Sequence, residues 1–394
     1  MSRISVSRRH FLGGAAALSA AGVSRAAGIK PSDLPDLTIT EVKAYVTDHG
    51  RLASVVTRGG IEGNYTLGGR YWHPDWNNAG WVDYAKGVLA GKNALDRPSF
   101  TSQWDLPKRR RGQSSYASAI DNCLWDIAGK AVGLPVYQLL GAYRHQVLAY
   151  ASSQHLRTVD QFVESVQKCK AEGFKAYKIH PPEFESRGGG DDYRLDMEVA
   201  KEVRKAAGDD FLLLMDPVGV YSRQEALAVG RLLDELKFVA FEDPIPTKDI
   251  EGLAELCRVL DVPIHIGEFL FSIYDYAEYI RRGAVDVVRF IVDNVGGISG
   301  GMKVAAMAEC FGMECAPHNW GDTLDHAVHF HCELAMPNNV FFEMTVPQGV
   351  YDEPYMKDRI RIAPDGYVHA PTKPGLGYEI DRDKLENLTK SLER

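Results

Sequence analysis

Eight short apolar runs recur through the second part of the chain at intervals of about 25 to 30 residues, with amphipathic helical segments between them. Each run has the length of a buried strand, and strands that alternate with helices are typical of a parallel sheet. Eight such units are the number that closes a (β/α)8 barrel. The runs are VLAYAS (147–152), KAYKIH (175–180), FLLLMD (211–216), FVAFED (238–243), PIHIGE (263–268), VDVVRFI (285–291), MECAPH (313–318) and VFFEM (340–344).

The competing topology is a doubly wound open sheet that binds a dinucleotide. No G-x-G-x-x-G fingerprint follows any of the runs, and eight consecutive units favour closure of the sheet. The 394 residues of the chain also suffice for a barrel of roughly 250 residues and a companion domain. We therefore predict an α/β protein with a TIM barrel over residues 142–345.

Three successive runs end in an acidic residue. Asp216, Glu242 and Glu268 follow one another at a spacing of 26 residues, which is one strand and helix each time. Strand ends of this kind meet at the C-terminal rim of a barrel, where barrel active sites lie. Three carboxylates with open positions beside them suit Mg²⁺, which prefers oxygen ligands and retains waters or substrate oxygens. An alternative is that these acids cap the following helices or face solvent.

The run before the acids ends in Lys178-Ile179-His180. Residues i and i+2 of a strand face the same side, so Lys178 and His180 are both predicted to point into the barrel mouth beside the metal. A buried lysine next to a divalent cation is expected to have a lowered pKa, as a base working at neutral pH requires.

The seventh and eighth runs also end in groups that could take part in proton transfer. His318 follows the seventh strand and Glu343 lies in the eighth, so that His318 would face Lys178 across a bound substrate. Glu343 could donate a hydrogen bond to a developing oxyanion. His326, His329 and His331 belong to the helix predicted after the seventh strand, where structural or surface roles are expected.

The segment ahead of the barrel, residues 36–141, has the pattern of an α+β domain. Two β-branched runs between Leu37 and Val56 predict a hairpin with its turn at Thr47–Gly50. A Gly-, Trp- and Asn-rich stretch from Gly59 to Gly80 is expected to be a loop or an irregular surface. Helical spacing follows, with Ile120, Leu124, Ile127 and Ala131 on one face. The turn-rich segment 346–394 is expected to return to this domain.

Residues 1–27 have the pattern of a twin-arginine export signal. Arg8 and Arg9 precede a short apolar segment, Gly13 to Val23, and Ser24-Arg25-Ala26 offers small residues for cleavage. The apolar segment is too short to span a bilayer, and no other run reaches that length. We expect a periplasmic enzyme without stable membrane insertion.

Charge and cysteine content exclude several other classes of protein. The net charge of −8, with acids and bases interspersed, provides no broad cationic face for nucleic acid. The six cysteines are scattered without a C-x-x-C pair, so that neither a zinc site nor a disulfide framework is predicted.

These features together resemble the enolase superfamily, and within it the mandelate racemase/muconate lactonizing enzyme branch. The resemblance covers nearly the whole chain after the signal. It rests on the three acids together with LTITEVKAYV (37–46), AIDNCLWDIAGKAVGLPVYQLLG (119–141), VGGISG (295–300) and YVHAPTKPGLG (367–377).

The resemblance implies that the N-terminal domain caps the barrel and supplies specificity through the loop near Gly59–Gly80. It implies a Mg²⁺-assisted removal of the proton α to a carboxylate, through an ene-diolate. It also implies a homo-oligomer, a dimer or an octamer. The residue roles that it implies are Mg²⁺ binding by Asp216, Glu242 and Glu268, proton transfer by Lys178 and His318, and assistance at the substrate carboxylate by Glu343.

Two positions depart from the pattern of that branch. The inner position of the usual K-x-K motif is His180, so either His180 or Lys178 could be the base. The sixth-strand position that usually holds an acid beside the histidine is Ile291. Asp293 could substitute for that acid, whereas Asp286 should lie at the opposite end of the barrel. Without its usual partner, His318 would be a weaker base and a better donor or general acid.

This asymmetry favours dehydration over racemisation, because a racemase needs two comparable bases and loss of water needs one base and one acid. We therefore predict dehydration of an acid sugar, a small polyhydroxy carboxylate. A racemase, epimerase or cycloisomerase is the alternative, and a non-catalytic periplasmic binding protein is a further one. Trp72, Trp76 and Trp81 could form a stacking face for the substrate or pack within the cap.

Overall fold

The computed structural model describes residues 33–67, 77–97, 111–181 and 193–394, with residues 111–114 described by their backbone alone. Pro35–Arg394 form one compact unit. None of the helices within these ranges is long and apolar enough to cross a membrane. The predicted signal at residues 1–27 lies outside the described residues.

Antiparallel strands form the sheet of the N-terminal domain. β1 (Ile39–Thr47) pairs with β2 (Gly50–Thr57) across the predicted turn, and β2 pairs with β3 (Glu62–Thr66). The last strand of the chain, β13 (Ser391–Glu393), pairs with the other edge of β1. The predicted return of the C-terminal segment to this domain is therefore confirmed.

The strand β3 corrects the prediction of an irregular stretch from Gly59 to Gly80. Gly63 lies within β3. A side chain does not fit at this position, because a Cβ atom would lie 2.1 Å from the carbonyl oxygen of Cys123 on the helix that packs against the strand. Gly63 therefore serves close packing, which is the other common reason for glycine in a strand. Residues 68–76, the middle of the stretch, are outside the described residues.

Helices cover this sheet and carry the predicted apolar face. Ile120, Leu124 and Ile127 are fully buried in the long second helix. Trp81 is fully buried in the first helix and donates its indole N–H to the carbonyl of Tyr116, so its role is packing within the cap. Trp72 and Trp76 are outside the described residues. The helices are α1 (Asn78–Leu89), α2 (Arg111–Val132) and α3 (Val136–Leu140).

Each of the eight predicted runs contains a strand of the second domain, and helices separate the strands. The strands are β4 (Gln146–Ser152), β5 (Ala176–Ile179), β6 (Leu212–Met215), β7 (Ala240–Glu242), β8 (Ile264–Ile266), β9 (Val287–Val288), β10 (Glu314–Cys315) and β11 (Phe342–Thr345). The helices are α4 (Val159–Ala171), α5 (Tyr193–Ala207), α6 (Arg223–Glu235), α7 (Ile250–Val259), α8 (Ile273–Arg282), α9 (Val292–Val295), α10 (Gly297–Cys310) and α11 (Thr323–Ala335). The C-terminal segment adds β12 (Tyr367–His369) and α12 (Arg382–Leu388).

The eight strands are arranged as a ring in chain order. Parallel ladders run from β4 to β10, and β4 also pairs in parallel with β11. Cys315 joins β10 to the entry of β11, because its N–H donates to Asn338 over 2.8 Å and its carbonyl accepts from Val340 over 3.2 Å. The predicted (β/α)8 fold is confirmed, and all eight strands point their C-terminal ends to one rim.

The cap is fastened to the barrel at the VGGISG motif. Asp121 of α2 accepts hydrogen bonds from the backbone N–H and the hydroxyl of Ser299, and Asn122 accepts from the backbone N–H of Ile298. These are N–H groups of the first turn of α10, which have no partner within the helix itself. Gly297 has a φ of 80°, and a Cβ atom there would lie 2.5 Å from the Asp121 carboxylate. The second glycine of the motif is thus required by the docking of the cap.

A second contact between cap and barrel lies where β3 ends. The Tyr65 hydroxyl lies 2.7 Å from Asp293 and 2.9 Å from Asp325, and Thr66 donates to Asp322 over 2.7 Å. A single phenolic proton serves two carboxyl groups at this contact. Burial, together with the charge of Asp325, raises the pKa of Asp293 well above its usual value.

Cap docking should make the stability of the protein depend on pH through Asp121. Burial raises the pKa of Asp121 from 3.8 to about 6, because the hydrogen bonds from Ser299 offset only part of the burial effect. The folded state therefore holds this proton more tightly than the unfolded state. The associated stability is present at low pH and is lost as pH rises through about 6.

We expect Asp121→Asn to remove this dependence. Between pH 4.5 and pH 7.5 the wild type should lose about 2 kcal/mol of unfolding free energy that the variant retains. Denaturant unfolding of both proteins at the two pH values measures this difference, and the contributions of all other groups cancel. Parallel pH profiles for the two proteins would contradict the assignment.

Candidate metal centre and active site

Three buried carboxylates meet at the C-terminal rim. Asp216, Glu242 and Glu268 each offer an oxygen, and these oxygens lie within 4.8 Å of one another. They stand at the ends of the neighbouring strands β6, β7 and β8, and these residues are at most 2% exposed. The convergence predicted from the spacing of 26 residues is confirmed.

The surroundings of these carboxylates fit a divalent cation. Oε2 of Glu268 finds no hydrogen-bond donor among the described residues. Burial, reinforced by the charge of Asp216, raises the pKa of Glu268 well above its usual value, and burial also raises the pKa of Glu242. Buried charge of one sign must be neutralised by protons or by a cation. Asp216, Glu242 and Glu268 would hold the cation, with oxygen ligands that suit a hard ion.

Asp243 is a fourth buried carboxyl group, and the sequence analysis did not single it out. It follows Glu242 directly, its φ is 36°, and neither of its oxygens has a hydrogen-bond donor among the described residues. Burial and the charges of Asp216 and Glu242 raise its pKa well above the usual value. A strained backbone at a buried acid is found at functional sites, and Asp243 adds to the negative charge that the centre must compensate.

Lys178 is fully buried among three carboxylates. Its Nζ lies 3.4 Å from Asp216, 2.9 Å from Glu242 and 2.8 Å from Glu343. Burial acts to lower its pKa, but Glu242 and Glu343 outweigh this and hold the pKa of Lys178 well above its usual value. This direction is opposite to the lowering predicted beside a divalent cation, because the carboxylates of the protein itself stabilise the ammonium.

His180 lies on the same side of its strand as Lys178, as the i, i+2 spacing predicts. Its Nδ1 is 2.7 Å from the carbonyl oxygen of Ser153, and its Nε2 is 3.1 Å from Asp216. A carbonyl oxygen only accepts, so Nδ1 carries a proton. Nε2 is directed at Asp216 in the carboxylate cluster, and it is the ring atom left to exchange a proton there.

Arg289 is a site residue that the sequence analysis missed. It follows β9, is fully buried, and places Nε 2.5 Å from Glu242 and Nη2 2.7 Å from Glu343. A signal was present in the sequence, because an arginine within the apolar run VDVVRFI stands two residues before Ile291. Residues at that spacing face the same side of a strand, so the sixth strand supplies a cation to the barrel interior.

Glu343 lies in the cluster but is not a donor. Its Oε1 accepts from Ser152 over 2.8 Å and contacts Lys178, and its Oε2 accepts from Arg289 over 2.7 Å and from the backbone N–H of Asn319 over 2.9 Å. Despite burial, Lys178 and Arg289 hold the pKa of Glu343 well below its usual value. An ionised carboxylate only accepts hydrogen bonds, so the expected donation to an oxyanion is not supported by these contacts.

His318 faces the metal centre from the seventh strand. Its Nε2 lies 3.5 Å from Oε2 of Glu268, and burial lowers its pKa well below the usual value. The proposed partner Asp293 accepts from Tyr65 at the interface with the cap, so this contact does not support its substitution for the missing acid. Asp286 accepts from the backbone N–H of Ile264 at the start of β8. It therefore lies at the end of the barrel opposite the metal centre, as predicted.

The three histidines of α11 have structural roles, as predicted. His329 accepts from the backbone of Val292 through Nε2, and His331 accepts from the backbone of Tyr137 through Nδ1. The Nδ1 atom of His326 lies 3.0 Å from the carbonyl oxygen of Asp322, one turn earlier. Each ring therefore pairs with backbone rather than with a ligand position.

An aromatic wall stands beside His180. The ring of Trp320 lies 5.1 Å from that of His180 and 6.3 Å from that of Tyr351, and His155 lies 5.2 Å from His180. The Trp320 indole N–H donates to the hydroxyl of Ser152 over 3.0 Å, and this hydroxyl donates to Glu343. The wall and the carboxylate cluster are thus joined through one serine.

A capped (β/α)8 barrel with three converging carboxylates, a lysine and a histidine at its rim defines a divalent-metal enzyme that handles protons. Residues 161–384 match the family Enolase C-terminal domain-like, and residues 95–141 match the mandelate racemase / muconate lactonizing enzyme N-terminal domain. The chain belongs to the mandelate racemase/muconate lactonizing enzyme family of the enolase superfamily.

Curated relatives and a solved structure support this membership. The chain is 31% identical to an arabinonate dehydratase of Saccharolobus solfataricus, over 67% of this chain and 69% of that protein. It is 31% identical to a D-galactarolactone cycloisomerase of Agrobacterium fabrum, over 78% of this chain and 84% of that protein. The structure of D-glucarate dehydratase from Agrobacterium tumefaciens, complexed with magnesium, is 28% identical, with a TM-score of 0.80 over 90% of this chain and 100% of that chain.

The metal assignment predicts that Glu268→Gln weakens Mn²⁺ binding by more than about 100-fold, the upper end of what the loss of a supporting contact costs. Electron paramagnetic resonance of free Mn²⁺ measures this without substrate. Asp286→Asn is the matched control, since it removes a carboxylate charge at the opposite end of the barrel and should leave the affinity unchanged. Equal affinities in the two variants would refute the site.

Proposed function

We propose that the protein uses Mg²⁺ to remove the proton α to the carboxylate of an acid sugar and to eliminate water from it. The observation that carries this proposal is the meeting of the three carboxylates with His180, whose Nε2 lies 3.1 Å from Asp216. The oxygen-only ligand set suits Mg²⁺. The dehydratases among the relatives support an acid-sugar substrate.

In this proposal His180 is the base. The carbonyl of Ser153 holds the proton on Nδ1, so Nε2 is the atom that accepts the α-proton. Lys178 remains charged among its carboxylates, which suits it to bind the substrate carboxylate rather than to accept a proton. A bound divalent cation would neutralise the charge that develops on that carboxylate.

His318 acts on the opposite side. Its lowered pKa makes the neutral ring a poor proton acceptor and the protonated ring a strong donor. This behaviour fits protonation of a leaving β-hydroxyl better than a second abstraction at the α-carbon, and so favours dehydration over racemisation. Breaking the α C–H and β C–OH bonds releases water and leaves an enol, which tautomerises to a 2-keto-3-deoxy acid.

Cycloisomerisation is the second candidate, and the cycloisomerase relative at 31% identity favours it. Incubation of acid sugars and their lactones with enzyme and Mg²⁺ in D₂O separates the reactions. Dehydration yields a keto acid, cycloisomerisation yields an isomer of the lactone, and racemisation yields a deuterated starting acid. Tight binding without deuterium uptake across the panel would identify a binding protein instead.

The assignment of the base predicts different outcomes at positions 178 and 180. His180→Gln should lower the rate of α-proton exchange by about 10² to 10⁴-fold, the usual contribution of a general base. Lys178→Arg keeps a positive charge that is not lost at accessible pH, and should retain measurable exchange. Deuterium uptake followed by mass spectrometry measures both, with Mn²⁺ binding as the test of an intact centre. Exchange that survives in His180→Gln but not in Lys178→Arg would make Lys178 the base.

We also propose, from the sequence alone, that residues 1–27 direct export by the twin-arginine route and that the mature enzyme is a periplasmic homo-oligomer. Replacing both Arg8 and Arg9 by lysine keeps the charge and should leave the protein in the cytoplasm of a bacterial host. Arg3→Lys is the matched control and should be exported normally. Fractionation with immunodetection measures the distribution, and export of the double variant would argue against this route.

A further inference from the structure

We propose that Arg289 is a positioning residue of the metal centre, which holds the ligand Glu242 and the acid Glu343 in fixed orientations. The inference rests on the metal-binding part of the proposed function. Arg289 stands two positions before Ile291, and Ile291 occupies the position at which the family pattern has an acid.

The backbone of Arg289 is locked to the strand that carries the third ligand. Its N–H donates to the carbonyl of Ile266 over 2.9 Å. A Cβ atom on Gly267, whose φ is 140°, would lie 2.1 Å from the carbonyl oxygen of Arg289. The two strand ends therefore approach so closely that only glycine fits directly before Glu268. The start of the Arg289 side chain is fixed relative to the carboxylate cluster.

The guanidinium is fixed as firmly as the backbone. Nη1 donates to the carbonyl of Ala316 over 2.9 Å and to the hydroxyl of Tyr150 over 3.2 Å. Nε and Nη2 contact Glu242 and Glu343 at 2.5 and 2.7 Å. Nη1 and Nη2 thus donate to three acceptors, Nε lies against Glu242 as one half of an ion pair, and arginine keeps its charge at all accessible pH values.

Arg289 and Lys178 hold opposite oxygens of the same two acids. Arg289 contacts Oε1 of Glu242 and Oε2 of Glu343, whereas Lys178 contacts Oε2 of Glu242 and Oε1 of Glu343. The four side chains form a closed ring of alternating charges, and all four are fully buried. Neither carboxylate can rotate without breaking a contact with a cation. Each metal ligand offers one oxygen to the cation, so a fixed partner on Glu242 presets its orientation.

Supporting contacts of this kind change metal affinity by about 10 to 100-fold. We expect Arg289→Met to weaken Mn²⁺ binding by that factor in the absence of substrate. Arg289→Lys, which restores a charge but not the fork, should fall between this variant and the wild type. Electron paramagnetic resonance of free Mn²⁺ reads out the centre without turnover.

Two further variants separate positioning from a general loss of structure. Arg204→Met removes another buried arginine, whose guanidinium donates to the carbonyls of Leu236, Gly208 and Phe211. It should lower the melting temperature and leave Mn²⁺ affinity unchanged. The double variant Arg289→Met/Glu343→Gln removes the negative charge of Glu343 together with the positive charge of Arg289, so that no unpaired charge is left buried. It should recover thermal stability but still bind Mn²⁺ weakly.

Mn²⁺ affinity within about twofold of the wild type in Arg289→Met, or tighter binding from the loss of a neighbouring positive charge, would overturn the inference. Recovery of metal affinity together with stability in the double variant would overturn it as well. A wild-type protein that does not bind Mn²⁺ would instead refute the metal centre itself, so the two failures are distinguishable.

Discussion

Negative charge buried at one rim of the barrel is the constraint around which the rest of the site is arranged. Asp216, Glu242, Asp243, Glu268 and Glu343 all lie there with almost no exposure to water. Buried charge is costly unless it is paired or bound to a metal. The two fixed cations, Lys178 and Arg289, neutralise only part of this charge, and Glu268 and Asp243 retain oxygens without a donor among the described residues. A divalent ion at the triad would resolve this imbalance.

The same constraint gives two neighbouring residues different surroundings. Lys178 and His180 stand on one side of one strand, yet the lysine lies among carboxylates that stabilise its charge, whereas the histidine pairs through Nδ1 with a backbone carbonyl and directs Nε2 at Asp216. The sequence left open which of the two is the base. Our proposal of His180 rests on these different partners, because pKa follows the local balance of burial and charge.

The cap belongs to the site through its anchors. Asp121 and Asn122 of α2 accept hydrogen bonds from the first turn of α10. Tyr65 and Thr66 of β3 donate hydrogen bonds to three aspartates of the barrel, Asp293, Asp322 and Asp325. The end of β3 therefore lies close to the loops that follow the sixth and seventh strands. Asp293, which the sequence offered as a partner for His318, is used in this anchorage instead.

The order of the eight strands and the meeting of Asp216, Glu242 and Glu268 could be predicted from the sequence, because a regular strand and helix period places every strand end at the same rim. The i, i+2 relation placed Lys178 and His180 together for the same local reason. The hydrogen-bond partners of the site residues could not be predicted in this way. Arg289 meets Tyr150 across 139 residues and Tyr65 meets Asp293 across 228, and no local pattern encodes such a pair. Only the closed barrel brings them within hydrogen-bonding distance, and with them it sets the surroundings of Lys178, His180 and Glu343.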